Sequence, residues 1–179
     1  MQAGRSKSVE AGAVMVARTQ ARENDAVLLL VFHLDRDRYA IDAAQVVSVL
    51  PLVRIKTIPQ APLAVAGLFD YRGELVPVID LCQLALGRAA RQLLSTRIIV
   101  VDYPGDDGRM RKLGLIAEQV LETLRRDARE FEASGIDSPD ASYLGPVVSD
   151  ARGPIQLVGV AELLPESVRE LLFQAAAQA

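Results

Sequence analysis

Few side chains in this sequence could make or break bonds, and they do not stand together. The single histidine, His33, has the chemistry of a general base, and the single cysteine, Cys82, that of a nucleophile. His33 follows Phe32 in an alternating apolar run, which reads as a half-buried strand residue. Cys82 lies among Leu81, Gln83 and Leu84 with no neighbouring cation to stabilise a thiolate, so it reads as a core residue. One cysteine and one histidine are too few for a zinc site of the Cys/His type. Asp102, Asp106 and Asp107 hint at calcium, but the liganding spacing and closing Glu of an EF-hand are missing, and turn residues explain them. Glu118 and Glu122 would share one face of a strand, with nothing to mark one as acid and the other as base. There is no phosphate-binding loop, no G-x-G-x-x-G after a strand, no G-x-S-x-G elbow and no H-E-x-x-H. The common enzyme classes are therefore disfavoured, and a protein-binding adaptor is expected. A small-barrel ligand-binding regulator, or an enzyme with an unrecognised site, is the alternative.

Arg72 is different. It recurs at Arg152, each time followed by Gly at a turn. An arginine there can tie down loop carbonyls or a nearby carboxylate. It can equally anchor a protein interface, where arginine is enriched. The two roles are compatible.

The elements that must position these residues are short strands. Residues 28–34 and 38–42 are expected to form a hairpin across Asp35-Arg36-Asp37, and 46–52 a third strand after a bend at 43–45. Pro51, Pro59 and Pro62 break up the next stretch, since proline lacks an amide donor. Strands at 65–71 and 74–79 meet at Arg72-Gly73. Asp80 caps a short helix at 81–86, stopped by Gly87. Strands follow at 97–103, 113–116 and 120–124. A polar loop covers 125–142, a last hairpin 144–149 and 155–160, and a helix 162–177 is interrupted at Pro165.

Composition bounds the rest. Of 179 residues, 50% are hydrophobic and 4% aromatic, so Val, Leu, Ile and Ala must fill the core. A net charge of −3 without a basic stripe argues against nucleic acid. The longest unbroken apolar run, 26–32, is too short to span a bilayer, and the start lacks a secretory core. A cytoplasmic protein without direct membrane insertion is expected, with a flexible tail at 1–26 and a short helix at 10–19 within it.

The chain repeats itself. Residues 39–50 align with 113–124 at an offset of 74, placing Ala43, Gln45, Val46 and Leu50 on Ala117, Gln119, Val120 and Leu124. Asp70-Tyr71-Arg72-Gly73 aligns with Asp150-Ala151-Arg152-Gly153 at an offset of 80, and Pro59 with Pro139. The change of offset puts a six-residue insertion between Leu124 and Pro139. Five strands per half predict two small barrels packed on each other, closure removing exposed edges.

The stretches LLLVFHLDRDRYAIDAAQVVSVL and IKTIPQAPLAVAGLFDYRGELVPVIDL resemble the coupling proteins of bacterial chemotaxis, the CheW-like domain. The second carries Pro59, Pro62, Gly67, Arg72, Gly73, Pro77, Asp80 and Leu81, and LGLIAEQVLETL and YLGPVV are similar to later strands of that family. The resemblance runs over about 28–164. It implies a mainly β domain at 27–165, with halves at about 28–86 and 97–164 and a C-terminal helix at 166–179. Two interlocked five-stranded SH3-like barrels with short connecting helices would form it. It also implies no catalysis and no cofactor. The implied role is a cytoplasmic scaffold at receptor arrays, joining the cytoplasmic tip of a methyl-accepting chemoreceptor to the regulatory domain of a CheA-type histidine kinase. Other CheW-like domains are further implied partners, and the groove between the barrels is the implied seat of the receptor. Matched by position, Val46, Ser48 and Val49 fall on the family's receptor-facing strand, Gly67 and Leu68 lie nearby, and Arg72 is the signature arginine. Two departures stand out. Couplers of the family commonly have an acid at Ser48 and Asn-Leu at Asp70-Tyr71, so Asp70 is expected to supply the missing carboxylate. These features resemble Wsp-type couplers, which implies a surface-sensing pathway controlling cyclic-di-GMP.

Overall fold

The computed structural model describes residues 26–105, 107–135 and 141–176. Nine strands run through them: β1 (Ala26–Leu34), β2 (Asp37–Asp42), β3 (Val46–Pro51), β4 (Val65–Tyr71), β5 (Glu74–Asp80), β6 (Arg97–Pro104), β7 (Met110–Asp127), β8 (Leu144–Asp150) and β9 (Gly153–Val158). Helix α1 (Leu81–Leu86) follows β5, and helix α2 (Glu166–Ala176) follows β9. The fold is mainly β, with short connecting helices and a C-terminal helix, as the sequence predicts. The expected tail, apart from Ala26, the helix at 10–19 and Pro139 lie outside the described residues, as does the last helix beyond Ala176.

Hydrogen-bonded neighbours follow the order β3-β6-β7-β1-β2-β9-β8, and β5 joins β4 to β7. The long strand β7 changes partner midway. Up to Ala117 it pairs with β6, and from Glu118 onward with β1. This divides the sheet into two five-stranded barrels. One holds β3, β4, β5, β6 and the first part of β7; the other holds the rest of β7 with β1, β2, β9 and β8. A bridge between Lys56 and Leu68 closes the first, and one between Glu132 and Val147 closes the second. Closure satisfies backbone groups that an open edge would leave bare.

The barrels are not the two sequence halves. Each combines a hairpin from one half with three strands from the other: β1–β2 joins β7–β9, and β6–β7 joins β3–β5. The exchange interlocks the barrels, and it explains why β1 and β6 read as continuous apolar runs. On β1, Leu29 and Val31 fill one barrel while Leu30, Phe32 and Leu34 face the seam between barrels. On β6, Ile98 and Val100 fill the other barrel while Ile99, Val101 and Tyr103 face the seam. Both faces are buried, so neither strand alternates with polar residues. Among the described residues the seam holds twenty buried residues, against seven and five in the two barrel interiors. At about 1.5–3 kcal/mol per large buried side chain, the shared core outweighs what either barrel encloses alone.

The separate strands expected at 113–116 and 120–124 are one strand. In the first half, Asp42 accepts from Ala44 N at 2.9 Å and starts a short 3-10 turn, Ala43–Gln45, between β2 and β3. The repeat puts Ile116 where Asp42 stands, and its side chain has no acceptor to hold such a turn. The chain instead passes through one left-handed residue, Gln119 (φ 47°), and continues as strand.

The local signals for α1 are met. Asp80 Oδ1 accepts from Gln83 N at 3.0 Å at its start, and Gly87 ends it. Helix α2 begins after Pro165, whose carbonyl accepts from Val168 N and Arg169 N, each at 3.0 Å. It docks on the seam through Leu172 and Phe173, the latter stacked on Tyr103 at 5.4 Å.

Candidate docking surface

The ionisable candidates are absorbed into architecture. Cys82 is fully buried on α1, and its thiol is pushed up to about 12 by burial, reinforced by the negative charges of Glu118 and Asp80. Burial and a raised thiol both weigh against a nucleophilic role. Glu118 and Glu122 do not form a pair, because the turn at Gln119 sends them into different networks. Glu118, buried, accepts from Arg88 at 2.8 Å and from Arg91 N at 2.7 Å. The Arg88 hydrogen bonds lead in holding its carboxyl down at about 2, below the usual 4.5. Glu122 faces Arg152 at 2.7 Å and Arg38 at 3.5 Å. His33 is half-buried, and its Nδ1 has no hydrogen-bond partner. Asp107 serves the β6–β7 turn, accepting from Arg109 N at 3.1 Å and pairing with Arg111 at 2.9 Å. Among the described residues no group of three His, Cys, Asp or Glu side chains is placed to hold a metal ion. A cleft of about 200 Å³ lies between the β6–β7 turn and α2, lined by Tyr103, Arg111, Glu170 and Phe173. It is smaller than the usual small-molecule pocket.

The residues matched to the docking strand fall on two faces. Along β3, Val46, Ser48 and Leu50 are half-buried, with Val46 against the seam, while Val47, Val49 and Pro51 are exposed. Val49 is 41% exposed and Val47 40%, so of the three β3 residues matched by sequence only Val49 faces outward, and Val47, which the matching did not name, shares that face. Strict alternation along 46–51 is the signal that finds it. Leu63, just before β4, stands 85% exposed, and Leu75 lies across from Asp70 with half its side chain in solvent. Exposed leucines standing singly are ordinary; here two, Leu63 and Leu75, lie on either side of β4.

Gly67 and Leu68 sit where the first barrel closes. Leu68 exchanges two backbone hydrogen bonds with Lys56, each 2.8 Å long. Gly67, at φ 140°, is buried beneath that bridge. Asp80 is likewise structural, its second carboxylate oxygen accepting from Ala90 N at 2.8 Å.

The β4–β5 hairpin ends in a two-residue turn, Arg72-Gly73, with both residues at positive φ (57° and 86°), which matches the twist of the paired strands. Asp70 Oδ1 accepts from Gly73 N at 2.7 Å, so its carboxylate is turned onto the turn's own amide. The exposed Arg72 guanidinium lies over the Tyr71 ring, 5.2 Å from its centre. The twin turn is held differently. Asp150 accepts from Arg152 N at 2.8 Å and from the buried Arg38 at 2.7 and 2.9 Å, with Arg126 at 3.5 Å. Arg38 leads in driving the Asp150 carboxyl far below the usual carboxylate range. One turn is thus locked by an ion network, and the other is open.

A family model, the CheW-like domain, matches residues 28–168 of this chain. Among curated proteins, the chemotaxis protein CheW of Treponema pallidum (strain Nichols) is 36% identical over 53 residues, 30% of this chain. That match spans 31% of the relative's length. Among solved structures, the crystal structure of scaffolding protein TtCheW from Thermoanaerobacter tengcongensis superposes with a TM-score of 0.70 at 25% identity, covering 79% of this chain and 90% of that one.

Proposed function

The chain belongs to the CheW-like domain family, and from that premise we propose that it is a non-catalytic scaffold coupling a chemoreceptor to a CheA-type histidine kinase. The observation that carries this reading is mechanical. Two barrels share one strand and one core, so surfaces on both are held in fixed relation by a single rigid body. Two modest contacts on such a body raise each other's effective concentration, and a small displacement of one partner is passed to the other as geometry. The coupling unit we place at 27–165, with residues 1–26 and 166–179 outside it. The outward face of β3 and the open turn, with Val46, Ser48, Val49, Gly67, Leu68, Asp70 and Arg72 in and beneath them, form the candidate receptor side. The kinase's regulatory domain and other CheW-like domains are the remaining candidate partners. No helix of the described residues is long and apolar enough to cross a membrane, and a cytoplasmic place at receptor arrays fits the role.

The narrower reading is a Wsp-type coupler in a surface-sensing pathway that controls cyclic-di-GMP. It is supported by Ser48 and Asp70-Tyr71, where the chain departs from common chemotaxis couplers. The test is pull-down and kinase assay with the receptors and kinases encoded beside this gene. Capture of both, with the kinase brought under receptor control only when this protein is present, is the expected result. Capture of neither would overturn the coupling reading.

A further inference from the structure

The repeat allows one half of the molecule to be read against the other. Glu122 on β7 stands where the first half has Ser48 on β3, and Arg152 stands where it has Arg72. In the second half the pair is made: Glu122 Oε1 lies 2.7 Å from Arg152 Nη2. In the first half the acid is gone. Asp70 spends its carboxylate on Gly73 N, and Glu74, the other acid of the hairpin, pairs with Lys112 at 2.9 Å. No carboxylate among the described residues stands at ion-pair distance from Arg72. Its guanidinium is nevertheless positioned, by a turn with fixed positive φ and by the Tyr71 ring beneath it. A planar fork of donors held in place without an acceptor is suited to a carboxylate brought by another molecule.

We propose that the acid missing from Ser48 is supplied in trans, and that Arg72 receives an Asp or Glu side chain of the docked receptor tip. This rests on the coupling reading and adds the chemistry of the contact. Filling the place from within the chain should then compete with the partner. In Ser48→Glu the new carboxylate would take Arg72 as Glu122 takes Arg152. The partner's acid would lose its donor and meet a like charge.

The experiment measures binding of the full chain to the purified soluble cytoplasmic fragment of a receptor encoded beside the gene, at low and high salt. Arg72→Gln and Ser48→Glu should each weaken binding about tenfold or more, and the double variant should be no weaker than the worse single one. The wild-type affinity should fall with salt more steeply than that of either variant. Scanning the fragment's acidic residues to Lys should find one that binds Arg72→Glu better than wild type. Ser48→Glu changes no residue of the turn itself, so it tests the idea even if Arg72→Gln misfolds, which thermal melting would reveal. Unchanged or tighter binding by Ser48→Glu overturns this proposal while leaving the coupling reading standing. Failure of the wild-type chain to bind any such fragment defeats both.

Discussion

A Cβ added at Gly67 would stand 2.1 Å from the carbonyl oxygen of Lys56, closer than any non-bonded contact allows. The obstacle is backbone that is itself hydrogen-bonded to Leu68, so it cannot swing aside. Gly67→Ala should therefore open the first barrel and cost about 3 kcal/mol, from both the clash and the strained φ. Gly73→Ala, where the added carbon meets nothing within 4 Å, should cost only about 1 kcal/mol. Urea unfolding of the two variants checks this, and equal losses would refute it. Receptor binding lost in Gly67→Ala should track unfolding, unlike that lost in Arg72→Gln.

What the sequence could reveal depended on how local the signal was. Helix α1 was readable to its ends because Asp80 and Gly87 act within one turn of it. The hairpins were readable because their turn residues lie between the strands they join. The exchange of hairpins between halves was not readable from the repeat, which pointed to one barrel per half, because it is fixed by pairings such as β2 with β9, over a hundred residues apart. The resemblance alone implied interlocked barrels. The network on Arg38 and Asp150 was hidden for the same reason, with 112 residues between the partners. On β3 the resemblance named a strand, but only the alternation of Val47 and Val49 against Val46 and Ser48 separates its outward face from its packed one.

Glu118 makes folding sensitive to acid in a defined window. Its carboxyl is held at about 2 in the folded chain against an ordinary 4.5, chiefly by Arg88 and also by the Arg91 amide. A depressed folded value contributes stability in full above the ordinary one, and that contribution is lost as pH falls from about 4.5 through about 2. Asp150 acts in the same direction at still lower pH. Glu118→Gln should lose about 2 kcal/mol at neutral pH and show a flatter melting temperature across that window. Parallel pH profiles for the variant and the wild type would show that the pairing does not contribute.

Cys82 should be silent in the folded protein. With no exposed surface and a thiol raised to about 12, it offers neither access nor thiolate at mildly alkaline pH. Labelling by a water-soluble disulfide reagent should proceed only as fast as the chain unfolds, and urea should accelerate it sharply. Complete labelling within seconds in native buffer would contradict the buried placement.

The two barrels should unfold as one. Strand β7 runs through both, and the seam holds more buried residues than the two interiors together, so neither barrel keeps a core once the other opens. A single calorimetric transition is expected, with equal calorimetric and van't Hoff enthalpies. Gln119, where β7 passes from one barrel to the other, tests the point directly. It holds φ 47° without being glycine, a conformation that costs an L residue about 1–2 kcal/mol. Gln119→Gly should relieve part of that and gain about 0.5 kcal/mol after its own entropic cost, whereas Gln119→Val should lose about 1–2 kcal/mol. Because the residue joins the barrels, each change should move the whole transition without dividing it. Two resolved transitions in Gln119→Val, with hydrogen exchange opening β8 and β9 before β4 and β5, would mean that the barrels are separable and that the rigid-body coupling built on their unity does not hold.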